Sequence, residues 1–186
     1  MRIIDSTSIV TLLFSLAILA VGYAAFGFWT TMIFTVGFLG GWIAWMVVPS
    51  NGEWSDIRVP YFVTLILFLG HRVEERVMGF FAALQAITGV ETPEILSWEV
   101  ILLVFTSVGA WLLVPVLVAR RNAVGVYLAW TFFVSMGVTE LAHFLVVGGP
   151  YRYFPGMLSV ALLAPAAWWG MVRLAHGRLR EPLHIT

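Results

Sequence analysis

Residues 60–88 read PYFVTLILFLGHRVEERVMGFFAALQAIT. A run this long and this apolar is a membrane span, because a helix needs about 20 residues to cross the hydrocarbon layer. Yet its middle, His71-Arg72-Val73-Glu74-Glu75-Arg76, carries five ionisable side chains. Each costs at least ~2.5 kcal/mol at the bilayer centre, so the cluster is expected to face the interior of a helix bundle and to find partners there.

The rest of the chain fits that setting. Of 186 residues, 61% are hydrophobic and 11% charged, and the mean hydropathy is +0.96, outside the range of soluble domains. Cysteine is absent, which excludes disulfides, thiolate metal ligands and cysteine nucleophiles. Every basic residue is arginine, which excludes a Schiff-base lysine, and a net charge of zero gives no field that would attract nucleic acid.

Hydropathy predicts an all-α integral membrane domain over 1–186 with six transmembrane helices near 8–27, 30–48, 60–88, 98–119, 123–147 and 155–174. The apolar run Ile9 to Val48 is too long for one span and reads as two, joined at Gly27-Phe28-Trp29-Thr30-Thr31. A cleaved signal peptide fits less well, because the sequence after Ala25 runs straight into more apolar residues. Six spans put Arg2, Arg58, Arg120, Arg121, Arg173, Arg178 and Arg180 on one side and only Arg152 on the other. Arginine-rich loops stay in the cytoplasm, so both termini are expected there, in a multi-pass protein of the cytoplasmic membrane.

Some features are cues to packing. Gly37 and Gly41 let another helix approach closely, Pro115 and Pro165 should kink the fourth and sixth spans, and Trp29, Trp45, Trp54, Trp98, Trp168 and Trp169 suit an interfacial belt. Trp111 and Trp130 lie deeper, where either could line a cavity.

Counted from Pro60, a good first helical residue, His71 lies about 17 Å along the helix, near the midplane. At about 100° per residue, Glu75 falls some 40° to one side of His71 and Glu74 some 60° to the other, so all three share a face. The other intramembrane cluster is Glu140-Leu141-Ala142-His143, whose i, i+3 spacing is one by which bundle helices offer a carboxylate and an imidazole to one metal. The third and fifth spans should run parallel, which lets His71 meet Glu140 while Glu74 or Glu75 meets His143. Their depths match imperfectly, Glu140 being seventeen residues past Ala123.

His71, Glu74, Glu75, Glu140 and His143 form a donor set suited to zinc, iron or manganese. If Arg72 and Arg76 both stay, the charge suits one divalent ion; if both turn away, it suits two. A glutamate left free, Glu74 or Glu75, could serve as general acid or base, on a membrane lipid or other hydrophobic molecule entering from the bilayer. An ion there could support hydrolysis or, if iron, oxygen chemistry. Arg152, Tyr151 and Tyr153, in the outer loop, could bind a headgroup or form a lid, and they equally suit interfacial anchoring. His176 and His184 belong to the basic tail.

Three other readings stand beside this one. The groups could be an ion-pair network that fixes helix register, a metal-free isomerase or cyclase of an isoprenoid- or sterol-like substrate, or a proton-coupled carrier. Absence of an internal repeat between 1–93 and 94–186 counts against transport.

His71-Arg72-Val73-Glu74-Glu75 also resembles the signature of the HXXEE-motif family of small multi-span membrane proteins. The similarity extends to a later span with Glu and His and to a Pro-Gly turn before the last span, here Pro155-Gly156. The resemblance implies a functional centre at His71, Glu74 and Glu75 and supplies no reaction. Intramembrane CAAX-type proteases place an arginine four residues after a Glu-Glu pair, where this chain has Gly79. Emopamil-binding-protein-type isomerases are similar in site chemistry only.

Overall fold

The computed structural model describes residues 3–94, 96–145 and 152–177. Arg2, Tyr151, Arg178, Arg180 and His184 lie outside them.

The chain is helical, with no strand among the described residues. Helix α1 spans Ser6–Val47 and starts on a capping box, Asp5 accepting from the Ser8 amide at 2.8 Å and Ser8 from the Asp5 amide at 2.7 Å. A straight helix would hold Ser8 and Trp42 about 51 Å apart. Instead the Trp42 indole donates to the Ser8 carbonyl at 3.1 Å, and the Ser15 hydroxyl reaches the Phe38 carbonyl at 3.4 Å. The element is therefore a hairpin of two antiparallel arms that reverses at Gly27, whose φ of 72° and ψ of −171° suit glycine. The joint expected near 27–31 falls there.

Helix α2 (Trp54–Val77) starts six residues before Pro60, on a capping box between Glu53 and Asp56. The polar turn that nucleates α2 precedes the apolar run, so Pro60 sits inside the helix. The expected single helix 60–88 is broken at Gly79 (φ 75°), beyond which α3 covers Phe80–Thr88. Helices α4 (Trp98–Leu112) and α5 (Val114–Ala119) are separated at Leu113, where Pro115 cannot continue the ladder. Pro165, by contrast, lies within the unbroken α8 (Met157–His176). Between them, α6 (Ala123–Gly137) is followed by a 3-10 turn (Thr139–Leu141) and the short α7 (Ala142–Leu145).

Helix α6 forms the centre. Every residue from Tyr127 to Gly137 is buried, as expected of a helix enclosed on all sides, and α1, α5 and α8 pack around it. Gly37 and Gly41 make the contact with α1 possible: a Cβ on Gly41 would stand 2.6 Å from the Thr131 Cα. Some polar side chains in the core are paired, Ser15 with Tyr127 at 2.7 Å and the Trp111 indole with Thr131 at 3.2 Å, whereas the buried Thr64 hydroxyl has no hydrogen-bond partner among the described residues. Trp45, expected at the interface, is instead 1% exposed and packs edge-on against Tyr127, because the arm 28–47 turns that face toward α6.

The exterior is apolar. Ile9, Val10 and Leu13 on α1 and Leu102 and Phe105 on α4 stand exposed, a surface suited to hydrocarbon rather than water. Among the described residues, four helical segments are long and apolar enough to cross a membrane: Ser6–Val47, Trp98–Ala119, Ala123–Leu145 and Met157–His176. The six charged side chains of Trp54–Val77 set α2 apart from them.

Candidate metal centre

The early start of α2 puts its motif in register with that of α6. His71 is seventeen residues beyond Trp54, and Glu140 is seventeen beyond Ala123, so parallel helices starting at one level deliver both to one level. The depth mismatch expected from a start at Pro60 disappears. Helix α6 stops at Gly137, and the 3-10 turn and α7 then aim Glu140 and His143 together at α2.

Four side chains converge: His71, Glu75, Glu140 and His143 each offer a donor atom within 4.8 Å of the others. His71 Nε2 lies 3.4 Å from Glu75 Oε1 and 3.3 Å from Glu140 Oε2. His143 Nε2 lies 3.4 Å from Glu75 Oε1 and 3.1 Å from Glu140 Oε2. This is the reversed pairing expected of parallel helices. With metal–ligand distances of about 2.0–2.2 Å, the edges of a tetrahedral site are about 3.3–3.6 Å. Four of the six edges here come within about 0.2 Å of that range.

Hydrogen bonds fix which ring nitrogens face inward. His143 Nδ1 is 2.6 Å from the Pro155 carbonyl, which can only accept, so that nitrogen carries a proton. His71 Nδ1 is 2.8 Å from Ser159 Oγ, whose own proton goes to the Gly156 carbonyl at 3.1 Å. His71 therefore donates as well. His143 Nε2 is itself in hydrogen-bond range of Glu140 Oε2, at 3.1 Å, so a doubly protonated ring would donate there; in neutral rings both Nε2 atoms present lone pairs to two carboxylates, an arrangement that calls for a cation. His71 Nε2 and Glu75 Oε1 are buried without a hydrogen-bond partner, atoms that a metal would satisfy.

Arg72 closes the outer side. Its guanidinium gives one nitrogen to Glu75 Oε2 and another to Glu140 Oε1, each at 2.8 Å, so each carboxylate has one oxygen turned to arginine and one to the histidines. The guanidinium also lies 5.1 Å above the Phe68 ring. Phe80 and Phe154, each with its centroid 5.4 Å from that of His143, wall off the imidazole. His71 is fully buried and Glu140 is 13% exposed, whereas Arg72 is 42% exposed.

Glu74 stands apart from the four. Its carboxylate accepts from the Tyr153 hydroxyl and from the amides of Leu158 and Ser159, at 3.3 and 2.8 Å for the two amides. Arg76 makes no ion pair among the described residues. Arg152 is exposed, and Trp130 is buried elsewhere, its indole donating to Ser50 at 2.9 Å. Beside the strap that runs from Tyr153 to Ser159, a shallow cavity open to the exterior is lined by Met78, Gly79, Ala82, Ala83, Tyr153 and Pro155. Sequence reasoning missed Ser159, the Pro155 carbonyl and Phe80, since a lone serine, a backbone oxygen and a phenylalanine among many carry no signal.

Comparison with protein families, with curated proteins and with solved structures finds no match for this chain.

Proposed function

We propose that this protein is a six-span membrane metalloprotein whose His71, Glu75, Glu140 and His143 hold one divalent transition-metal ion, and that it acts as an enzyme on a lipid-like or hydrophobic substrate. The observation that carries the reading is the pair of imidazoles with protonated Nδ1 atoms turned outward and Nε2 atoms turned toward two carboxylates at tetrahedral edge lengths. The six crossings are the two arms of α1, then α2 with α3, α4 with α5, α6 with α7, and α8, both termini facing the cytoplasm. The resemblance to the HXXEE-motif family, carried by His71, Glu74 and Glu75, the later Glu140 and His143 and the Pro155-Gly156 turn, supports a functional centre here and names no reaction.

Charge favours a single ion. Glu75, Glu140 and Arg72 sum to −1 with neutral histidines; one divalent ion takes the cluster to +1, and a second would take it to +3. Nitrogen and oxygen donors without sulfur suit zinc, iron or manganese. A bound ion supplies Lewis acidity. The residues around it do the rest: Arg72 keeps each carboxylate's second oxygen occupied, Phe80 and Phe154 exclude water from His143, and the cavity beside Tyr153 and Pro155 gives an apolar molecule an approach.

The same charge supports a second reading. One proton shared by the imidazoles brings −1 to zero without any ion, and it would make the cluster a metal-free acid–base site for isomerisation or cyclisation, or a step in proton-coupled transport. Elemental analysis of the purified protein separates these. The metal reading expects about one transition-metal ion per chain, lost in His71→Ala and His143→Ala and kept in Arg76→Ala. A folded, active preparation without stoichiometric metal overturns it.

A further inference from the structure

We infer that the two glutamates of the motif have divided roles, Glu75 facing the cation and Glu74 anchoring the Tyr153–Ser159 strap that holds both histidines with Nε2 inward; this deepens the metal-centre reading and rests on it.

Adjacent residues on a helix point about 100° apart, so Glu74 and Glu75 cannot face the same partner. Glu75 turns to the imidazoles and Arg72. Glu74 turns to α8, where the first-turn amides lack intrahelical partners and where Gly156, the residue at the cap, has no side chain to offer them. The Glu74 carboxylate takes the Leu158 and Ser159 amides and adds the Tyr153 hydroxyl on the far side of the turn. One carboxylate from α2 thus pins both ends of a seven-residue strap.

The strap meets both histidines. Ser159, held through its amide by Glu74, receives His71 Nδ1 on its hydroxyl, and Pro155 receives His143 Nδ1 on its carbonyl. Gly156 lies between, so close that a Cβ there would be 2.6 Å from Cε1 of each imidazole. Outer-sphere partners of this kind fix the tautomer and orientation of metal-binding histidines. His71 and Glu74 share a face of α2 and meet the same residue, Ser159, one by side chain and the other by backbone. Ser159 and Glu74 are therefore positioning residues, and Glu74 is not a ligand.

The test uses the full chain in detergent, zinc as the probe and nitrogen-15 spectra of the imidazoles. Ser159→Ala should weaken zinc binding about 10–100-fold and turn the His71 spectrum from a pure Nδ1–H form into a mixture, leaving His143 unchanged. Ser159→Thr should restore both. Glu74→Gln should keep one zinc per chain at reduced affinity, whereas loss of stoichiometry would mark Glu74 as a ligand and overturn the division. Unchanged affinity and an unchanged His71 spectrum in Ser159→Ala would equally overturn the strap's role. Should the parent protein bind no zinc, iron or manganese, the metal reading fails by itself, and the His71 tautomer in Ser159→Ala still decides for or against the strap.

Discussion

Gly156→Ala removes nothing from the protein and adds one methyl group at its most constrained point. The backbone there has φ +100°, a region that costs a residue with a side chain about 1–2 kcal/mol. The new methyl would lie 2.6 Å from Cε1 of both His71 and His143, where carbon atoms ordinarily keep about 3.5–4.0 Å. Relief takes about 1 Å of movement, which would stretch the 2.6 Å bond from His143 to Pro155 beyond hydrogen-bond range of about 3.2 Å. Losing that bond and the one from His71 to Ser159 adds about 1 kcal/mol each. The total is about 3–4 kcal/mol, equivalent to a fall of roughly 10 °C in Tm for a chain of this size. Gly79→Ala is the control: its φ is also positive, at 75°, but a Cβ there meets nothing within 4 Å, so only the conformational cost of about 1–2 kcal/mol should appear. Thermal unfolding in detergent, followed by tryptophan fluorescence, reads both variants. Equal losses in the two would show that Gly156 is not pressed between the histidines and would refute the steric argument.

Other contacts in the bundle give two further outcomes. Gly41→Val puts a branched side chain where a Cβ already stands 2.6 Å from Thr131; parting α1 from α6 should cost several kcal/mol, on the scale of about 1–3 kcal/mol per overpacked group, and a Tm equal to that of the parent protein would contradict the packing of these helices. Tyr153, in the loop before α8, has its pKa raised by partial burial and by the Glu74 carboxylate that accepts its proton. The folded chain therefore holds this proton more tightly than the unfolded one, so the contribution is complete below the ordinary tyrosine pKa of about 10 and fades as pH climbs through the raised value. Stability measured from neutral to strongly alkaline pH should show that fade in the parent and not in Tyr153→Phe; parallel curves would remove the hydrogen bond from the account.

The site was legible in part because its chemistry violates its surroundings. His71, Glu74, Glu75, Glu140 and His143 are conspicuous in apolar helices, and helical spacing by itself places them on facing surfaces. Spacing could not say which of two adjacent glutamates turns inward. That choice belongs to α8, whose uncapped first turn draws Glu74 away. The level of Glu140 relative to His71 was misjudged for a related reason: α2 starts at Trp54 in polar sequence, so an apolar run counted from Pro60 begins six residues late.

The sequence by itself determined that this chain is helical and apolar outside, that it reverses near Gly27, and that two clusters of ionisable groups face its interior, because composition and periodicity act locally along each segment. Tertiary structure alone decided that four of those groups converge at tetrahedral spacing, that Arg72 bridges their carboxylates and that Ser159 and Pro155 orient the rings. The pairs His71–Glu75, Arg72–Glu75 and His143–Glu140 lie within one helical turn, but the contacts that close the site join residues 68 to 88 positions apart or link a side chain to a backbone oxygen. No local pattern encodes a partner that only the packing of α2, α7 and α8 brings within reach.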